Sequence, residues 1–250
     1  MKQNNFKIIT PFYNPGKFLD KCIMSVMTQK YDNYKVIFID DTSTDGSWEK
    51  LPHDNDKAIC IKNTVRKTAL ENIHDTVMNF CEPDDIITIV DGDDWLSNNK
   101  VLEYLNNFYN EHDCWTTWGQ AIWTSGRKGI ARPVNKEDFK KIRTDYNMFF
   151  VSHLRTYRAG VHHCIKDQDP TFECMKDRDG KFYRWAYDTG LMLPILELSG
   201  YDRSKYIDKV LYIYNRDNDL SEDKINQTAQ TGVHLEVLTK KPFQQIENYK

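Results

Sequence analysis

Short apolar runs at residues 6–10, 34–39, 58–61 and 86–90 alternate with helix-patterned segments, and that rhythm dictates what the chain becomes. After the first run, Phe18, Cys22 and Val26 recur at four-residue spacing beside Leu19, Ile23 and Met27, which makes one apolar helical face. Residues 65–80 repeat the pattern, and a further helix is expected to begin at Trp48. Strands and helices in alternation join by right-handed crossovers, so the fold class is α/β: a Rossmann-like, mostly parallel sheet with helices on both faces. In such sheets ligands bind at the carboxyl ends of the strands.

The loops leaving those ends carry the chemistry. Three of them, at residues 11–16, 40–47 and 91–94, are polar or contain Pro, and the topology sends all three into one crevice. The last reads Asp91-Gly92-Asp93-Asp94 and follows directly on Ile86-Ile87-Thr88-Ile89-Val90. Carboxylates packed this closely raise one another's pKa unless a cation lies between them. A hard divalent ion such as Mg2+ or Mn2+ suits them. Taken alone, the four residues are equally an acidic turn with Gly supplying a left-handed backbone. The loop Asp40-Asp41-Thr42-Ser43-Thr44-Asp45-Gly46-Ser47 imitates a calcium loop from Asp41, but Pro52 stands at its twelfth position, where Glu is required. Neither a P-loop nor a dinucleotide fingerprint occurs, so a metal must neutralise any phosphate bound here.

With 34 basic and 37 acidic residues the net charge is −3, which gives no electrostatic grip on nucleic acid, and no nucleic-acid partner is expected. No apolar run approaches the roughly 20 residues of a membrane helix. Residues 1–6 are polar, without the apolar stretch of a signal peptide. Six cysteines without C-x-x-C spacing read as small buried hydrophobes in a reducing compartment. A cytoplasmic location is therefore expected, with peripheral contact at a membrane as the alternative. His162-His163-Cys164 and Cys174 are too irregularly spaced for zinc, so local packing is their expected role.

Beyond a helix at residues 98–109, strands are expected at 114–118, 121–124 and 209–214, with a basic loop at 126–133. A helix through 191–198 has Tyr187-Asp188-Thr189-Gly190 near its start. The expected organisation is one domain in two halves, residues 1–120 and 121–240, followed by a polar, loosely held tail at 241–250.

Thr10-Pro11-Phe12-Tyr13-Asn14, then Asp40-Asp41-Thr42-Ser43-Thr44-Asp45-Gly46-Ser47, then Asp91-Gly92-Asp93-Asp94 resemble the three ordered signatures of inverting GT-A glycosyltransferases of family 2. The resemblance covers about the first 110 residues. It implies a GT-A fold whose first half binds nucleotide sugar and metal, and whose second half forms a small acceptor-side subdomain with the catalytic base. It further implies that Pro11, Phe12 and Tyr13 cradle the base and that Asp40 and Asp41 contact base and ribose. Asp91, with Gly92, then leans toward ribose and metal, and Asp93 is the direct metal ligand. The family's basic residue after the third strand falls on Arg66 or Lys67. Its catalytic base, the Asp of a Glu-Asp pair opening a helix, falls on Asp188, with Tyr187 where Glu is usual. A helix N-cap is the alternative role of Asp188, and Asp169, Glu173, Asp177 and Asp179 are rival bases.

Ser152-His153-Leu154-Arg155-Thr156-Tyr157-Arg158 resembles the family's H-L-R-x-[FY]-R strand, so Arg155 and Arg158 either support the sheet or face the acceptor. Tyr212-Ile213-Tyr214-Asn215-Arg216-Asp217-Asn218 resembles its Tyr-x-Tyr-Arg-x-His ending with the His replaced, which leaves Arg216 without an assigned role. The activity the resemblance implies uses Mn2+ or Mg2+ to move a sugar, with inversion, from a nucleotide-sugar donor, UDP-linked by family leaning, to a hydroxyl of a glycan or glycoconjugate acceptor. A nucleotidyltransferase making a nucleotide sugar is one alternative, although residues 10–16 lack the Arg of its usual basic loop. A catalytically silent sugar-binding subunit is another.

Overall fold

The four apolar runs become β1 (Phe6–Phe12), β2 (Tyr34–Asp40), β3 (Ala58–Lys62) and β4 (Ile86–Ile89). They belong to a computed structural model that describes residues 2–145, 150–218, 224 and 226–249; Met1 and Lys250, the two ends of the expected organisation, lie outside the described residues. The four strands are parallel, with β1 between β2 and β4. β1 continues through Pro11, which the sequence reading placed in a loop. The backbone edge that lacks the N–H faces β4 after that ladder has ended at Ile89, so no sheet bond is lost there. The Pro11 carbonyl on the same edge accepts from Gly92 N–H at 3.3 Å.

Helices cover both faces. Ile9, Ile37, Ile87 and Ile89 point to the side of α2 (Ala69–Phe80). Ile8, Val36, Phe38 and Ile86 alternate with them and pack toward α1 (Leu19–Met27) and α3 (Val101–His112). Fully burying each such side chain contributes about 1.5–3 kcal/mol. α2 begins later than expected because Thr68 caps it, its hydroxyl accepting Glu71 N–H at 3.1 Å. The helix expected from Trp48 is a single 3-10 turn, Trp48–Lys50, because Leu51 precedes Pro52 and is driven into extended backbone.

The second half extends the same sheet. After short helices α4 (Lys136–Phe139), α5 (Ala159–His163) and α6 (Ile165–Gln168), the chain enters the long helix α7 (Tyr187–Arg203) and later α8 (Gln227–Thr239). β7 (Arg155–Arg158) pairs antiparallel with β4, and β6 (Thr116–Trp123) pairs antiparallel with β7. β8 (Ser204–Tyr214) lies parallel to β6, and β5 (Trp95–Leu96) closes the far edge. Two reversals leave β4, β6 and β8 pointing the same way, so their carboxyl ends share one edge with β1 and β2. The two strands expected at 114–118 and 121–124 are the single strand β6, whose register slips between Gly119 and Ala121.

The tail, expected to be loose because it is polar, is pinned. Phe243, Ile246 and Tyr249 pack on the core. Ile246 N–H donates to the Leu198 carbonyl at 3.0 Å, and Tyr249 O–H reaches Asp84 at 2.9 Å. No described helix is long and apolar enough to cross a membrane.

His162 meets His74, Nε2 to Nδ1 at 3.0 Å, and His163 faces the Val77 carbonyl at 3.1 Å. Burial lowers His74 to about 4, and burial with the His74 charge holds His162 well below the usual histidine range. The unfolded chain takes up protons below about 6.5 that the folded pair refuses, so this stability is present above that pH and lost as pH falls toward about 4. Denaturant midpoints should therefore fall over this window, and His162→Gln should make the fall shallower. An unchanged slope contradicts the assignment.

Candidate active site

The carboxyl ends of β1, β2 and β4, with the starts of α2 and α7, enclose a cavity of about 490 Å3. Pro11, Phe12, Tyr13, Asp41, Lys67 and Gly92 line one side of it, and Asp91, Asp93 and Asp188 also lie on its wall. Asp40 does not. It is fully buried, and its Oδ1 accepts Ser43 N–H at 2.7 Å, which orders the 40–47 loop from beneath.

Asp41 Oδ1 accepts Asn63 Nδ2 and the Lys67 backbone N–H, each at 2.8 Å. The Lys67 ammonium turns away to Asp75 and Glu71, and its hydrogen bond to Asp75 raises its pKa. Arg66 takes the facing position instead. Its guanidinium lies 3.5 Å from the centroid of the Tyr13 ring, and its Nε is 4.0 Å from Asp41.

The acidic loop is held from the other half of the chain. Tyr187 O–H donates to Asp91 Oδ1 at 2.6 Å, and Asn218 Nδ2 donates to Asp93 Oδ2 at 2.7 Å. Asp94 takes Tyr212 O–H at 2.8 Å and Asn215 N–H at 2.7 Å. Burial pushes Asp91 up to about 6, against the opposing pull of the Arg155 charge and the Tyr187 bond. Burial raises Asp93, and it raises Asp94 well above the usual range with the Asp93 and Asp91 charges adding to it. A Cβ at Gly92 would sit 2.4 Å from Phe12 Cβ, so only Gly lets the loop close against β1.

Beneath the loop, Arg155 is 3% exposed, donates through Nη2 to His153 Nε2 at 2.7 Å, and lies 5.3 Å from the Tyr187 ring centroid. Burial works against its charge, but Tyr187, Asp188 and Asp91 hold its pKa above the usual value. Burial first, then the Arg155 charge, keeps His153 neutral. His153 stacks on Tyr212 at 4.5 Å.

Ligand atoms of Asp91, Asp94 and His153 lie within 4.8 Å of one another. Both Asp94 oxygens already accept hydrogen bonds, and His153 faces the Arg155 cation. Asp91 and Asp93 each commit one oxygen to a neighbour. Raised, oxygen-rich carboxylates of this kind fit a hard divalent ion.

Asp188 sits at the start of α7 just after Ala186, whose backbone is left-handed (φ 47°, ψ 36°) and aims the Tyr187-Asp188 pair into the cavity. Its Oδ1 also accepts the Thr189 N–H at 2.9 Å, a bond of the helix start. The rival carboxylates are elsewhere. Asp169 and Glu173 line a separate cavity of about 210 Å3, and Asp177 closes a turn onto Asp179 and Lys181. The sequence reading left the roles of His153, Arg184, Trp185 and Asn218 unread, although all four line the main cavity. His153 and Asn218 each carried a signal, His153 as the His of the H-L-R resemblance and Asn218 as part of the ending whose His is replaced.

A sequence model of glycosyl transferase family 2 matches residues 7–166. An uncharacterized glycosyltransferase of Haemophilus influenzae is 33% identical over 107 residues, which are 42% of this chain and 42% of that protein. The chain spans under half the length of the curated relatives it matches. Among solved structures, Staphylococcus aureus TarS 1–349 in complex with UDP-GlcNAc superposes with a TM-score of 0.59 at 19% identity, over 86% of this chain and 59% of that one. The mannosyltransferase PcManGT from Pyrobaculum calidifontis, in complex with GDP-Man and Mn2+, gives 0.55 at 14% identity, over 85% of this chain and 57% of that one. The fold is of the GT-A type.

Gly92→Ala should destabilise the protein by about 1–3 kcal/mol, the usual cost of forcing atoms into a packed site. Urea denaturation measures this; wild-type stability would contradict the close approach to Phe12.

Proposed function

The chain belongs to glycosyl transferase family 2, and from that premise we propose that it transfers a sugar from a nucleoside diphosphate sugar to a hydroxyl of a glycan or glycoconjugate, inverting the anomeric carbon. The observation that carries this reading is the single cavity shared by Asp91, Asp93 and Asp188. The two carboxylate sets are joined through neighbours, since Tyr187 bonds Asp91 and Asp188 is the next residue.

Pro11, Phe12 and Tyr13 receive the nucleobase against the Tyr13 face, and Asp41 accepts a hydrogen bond from base or ribose. Asp40 and Lys67 serve by ordering the loops around Asp41. Gly92 lets the acidic loop close over the donor. Asp91 and Asp93 would hold Mn2+ or Mg2+, and the ion, when bound, supplies the charge that neutralises the departing diphosphate. Asp188 accepts the proton of the acceptor hydroxyl. The acceptor oxygen then bonds the anomeric carbon as the bond to the diphosphate oxygen breaks, and one displacement inverts the centre. The UDP-GlcNAc complex of TarS supports a UDP-linked donor, while the same fold holds GDP-Man with Mn2+ in PcManGT.

A thermal-shift screen of UDP- and GDP-sugars with Mn2+ identifies the donor, because a ligand that binds only the native state raises its melting temperature. With that donor, Asp188→Asn should lower kcat by about 10²–10⁴-fold, the usual contribution of a general base, while the UDP–Mn2+ stabilisation persists. Wild-type kcat in this variant contradicts the assignment.

A further inference from the structure

The basic loop after β6 is not among the residues lining the main cavity, yet the topology delivers it to the edge that carries Asp91. β6 ends at Trp123, where the chain folds back tightly: Trp123 N–H donates to the Arg127 carbonyl at 2.7 Å, and Gly126 N–H to the Trp123 carbonyl at 2.8 Å. The turn exposes Arg127 and Lys128. The Arg127 guanidinium lies 4.8 Å from the Trp123 ring centroid, and Arg216 from the segment after β8 lies at the same distance. Trp123 in turn is 6.4 Å from Tyr214, which lines the cavity. Arg184 and Trp185, 5.0 Å apart and just ahead of Asp188, repeat the pairing on the cavity wall itself.

We propose that this side of the cavity recognises an acceptor that bears oxyanions, phosphate or carboxylate, and that Arg127 and Arg184 are the cations that bind them. The proposal rests on the donor-and-base reading above only in taking Asp188 as the point where the acceptor hydroxyl arrives.

Two physical points separate this from a surface for neutral sugar. A neutral glycan stacks on bare aromatic faces, but the faces of Trp123 and Trp185 carry guanidinium groups. A stacked guanidinium has already lost much of its rotamer freedom, and its N–H edge remains for bidentate contact with an oxyanion. Moreover, among the described residues neither Arg127 nor Arg184 forms an ion pair; the interaction each makes is the aromatic one. Arg184 lies on the cavity wall with Asp188, and the Trp123 group reaches the same cavity through Tyr214.

The test uses the whole chain saturated with UDP and Mn2+, so that phosphate cannot enter through the donor site. Three probes are titrated calorimetrically: a glycerol phosphate oligomer, an oligogalacturonate and a neutral cello-oligosaccharide. At least one anionic probe should bind about tenfold or more tighter than the neutral one, with affinity that falls as salt rises. Preference for the glycerol phosphate oligomer assigns the oxyanion to phosphate, and preference for the oligogalacturonate assigns it to carboxylate. Arg127→Gln/Arg184→Gln should remove that preference while UDP–Mn2+ affinity stays within about twofold. Equal binding of all three probes, or a preference that survives in the double variant, overturns the proposal. Failure of UDP and Mn2+ to bind would instead overturn the donor reading.

Discussion

Three aspartates in a four-residue, largely buried loop repel one another, and the rest of the site is arranged around relieving that repulsion. Four groups donate to their carboxylates: Tyr187, Tyr212, the Asn215 backbone and Asn218. All four lie far along the chain from residues 91–94. A hydrogen bond to a charged group contributes about 1.5–3 kcal/mol, and a buried carboxylate stripped of its partner costs more. The acidic loop is therefore a product of the assembled sheet rather than of its own hairpin. Arg155 completes the balance from below as a buried cation beside Asp91, Tyr187 and Asp188.

That dependence explains the topology. A purely parallel sheet would end at β4 with the acidic loop facing solvent. The antiparallel β7 places Arg155 directly opposite Ile89, two residues before Asp91. β8 then returns in the direction of β4 and carries Tyr212 to the loop, and its continuation brings Asn215 and Asn218. The strained Ala186 turn starts α7 so that Tyr187 touches the clamp and Asp188 faces the cavity. Asp91 and Asp188 are thus linked through Tyr187, which bonds the one and adjoins the other.

The first four strands and the acidic loop were legible because apolar runs of that length, each followed by a polar turn, have few alternatives. Gly92 was legible too, as part of the motif, although its reason, the contact with Phe12, was not. β7 was not legible from periodicity: Arg155-Thr156-Tyr157-Arg158 is polar in sequence yet buried on both faces, with Arg158 Nη1 donating to Asn4 and the Asp84 carbonyl. α8 escaped because its apolar residues do not keep to one face, Leu235 pointing outward while Val237 is buried. Arg66 and Lys67 were inseparable in sequence, since which one reaches Tyr13 depends on the carboxylates of α2 that capture the other. The bond between Tyr187 and Asp91 joins residues on separate elements and has no local signature at all.

The central claim is that the loop after β4 is a divalent-ion clamp for a nucleoside diphosphate. Titration of Mn2+ followed by electron paramagnetic resonance, with and without UDP, tests it most directly in the wild type and in Asp91→Asn/Asp93→Asn. The account predicts one Mn2+ bound per chain, tightened by UDP, and lost in the double variant. Mn2+ binding that is indifferent to UDP, or that survives in the double variant, would contradict it.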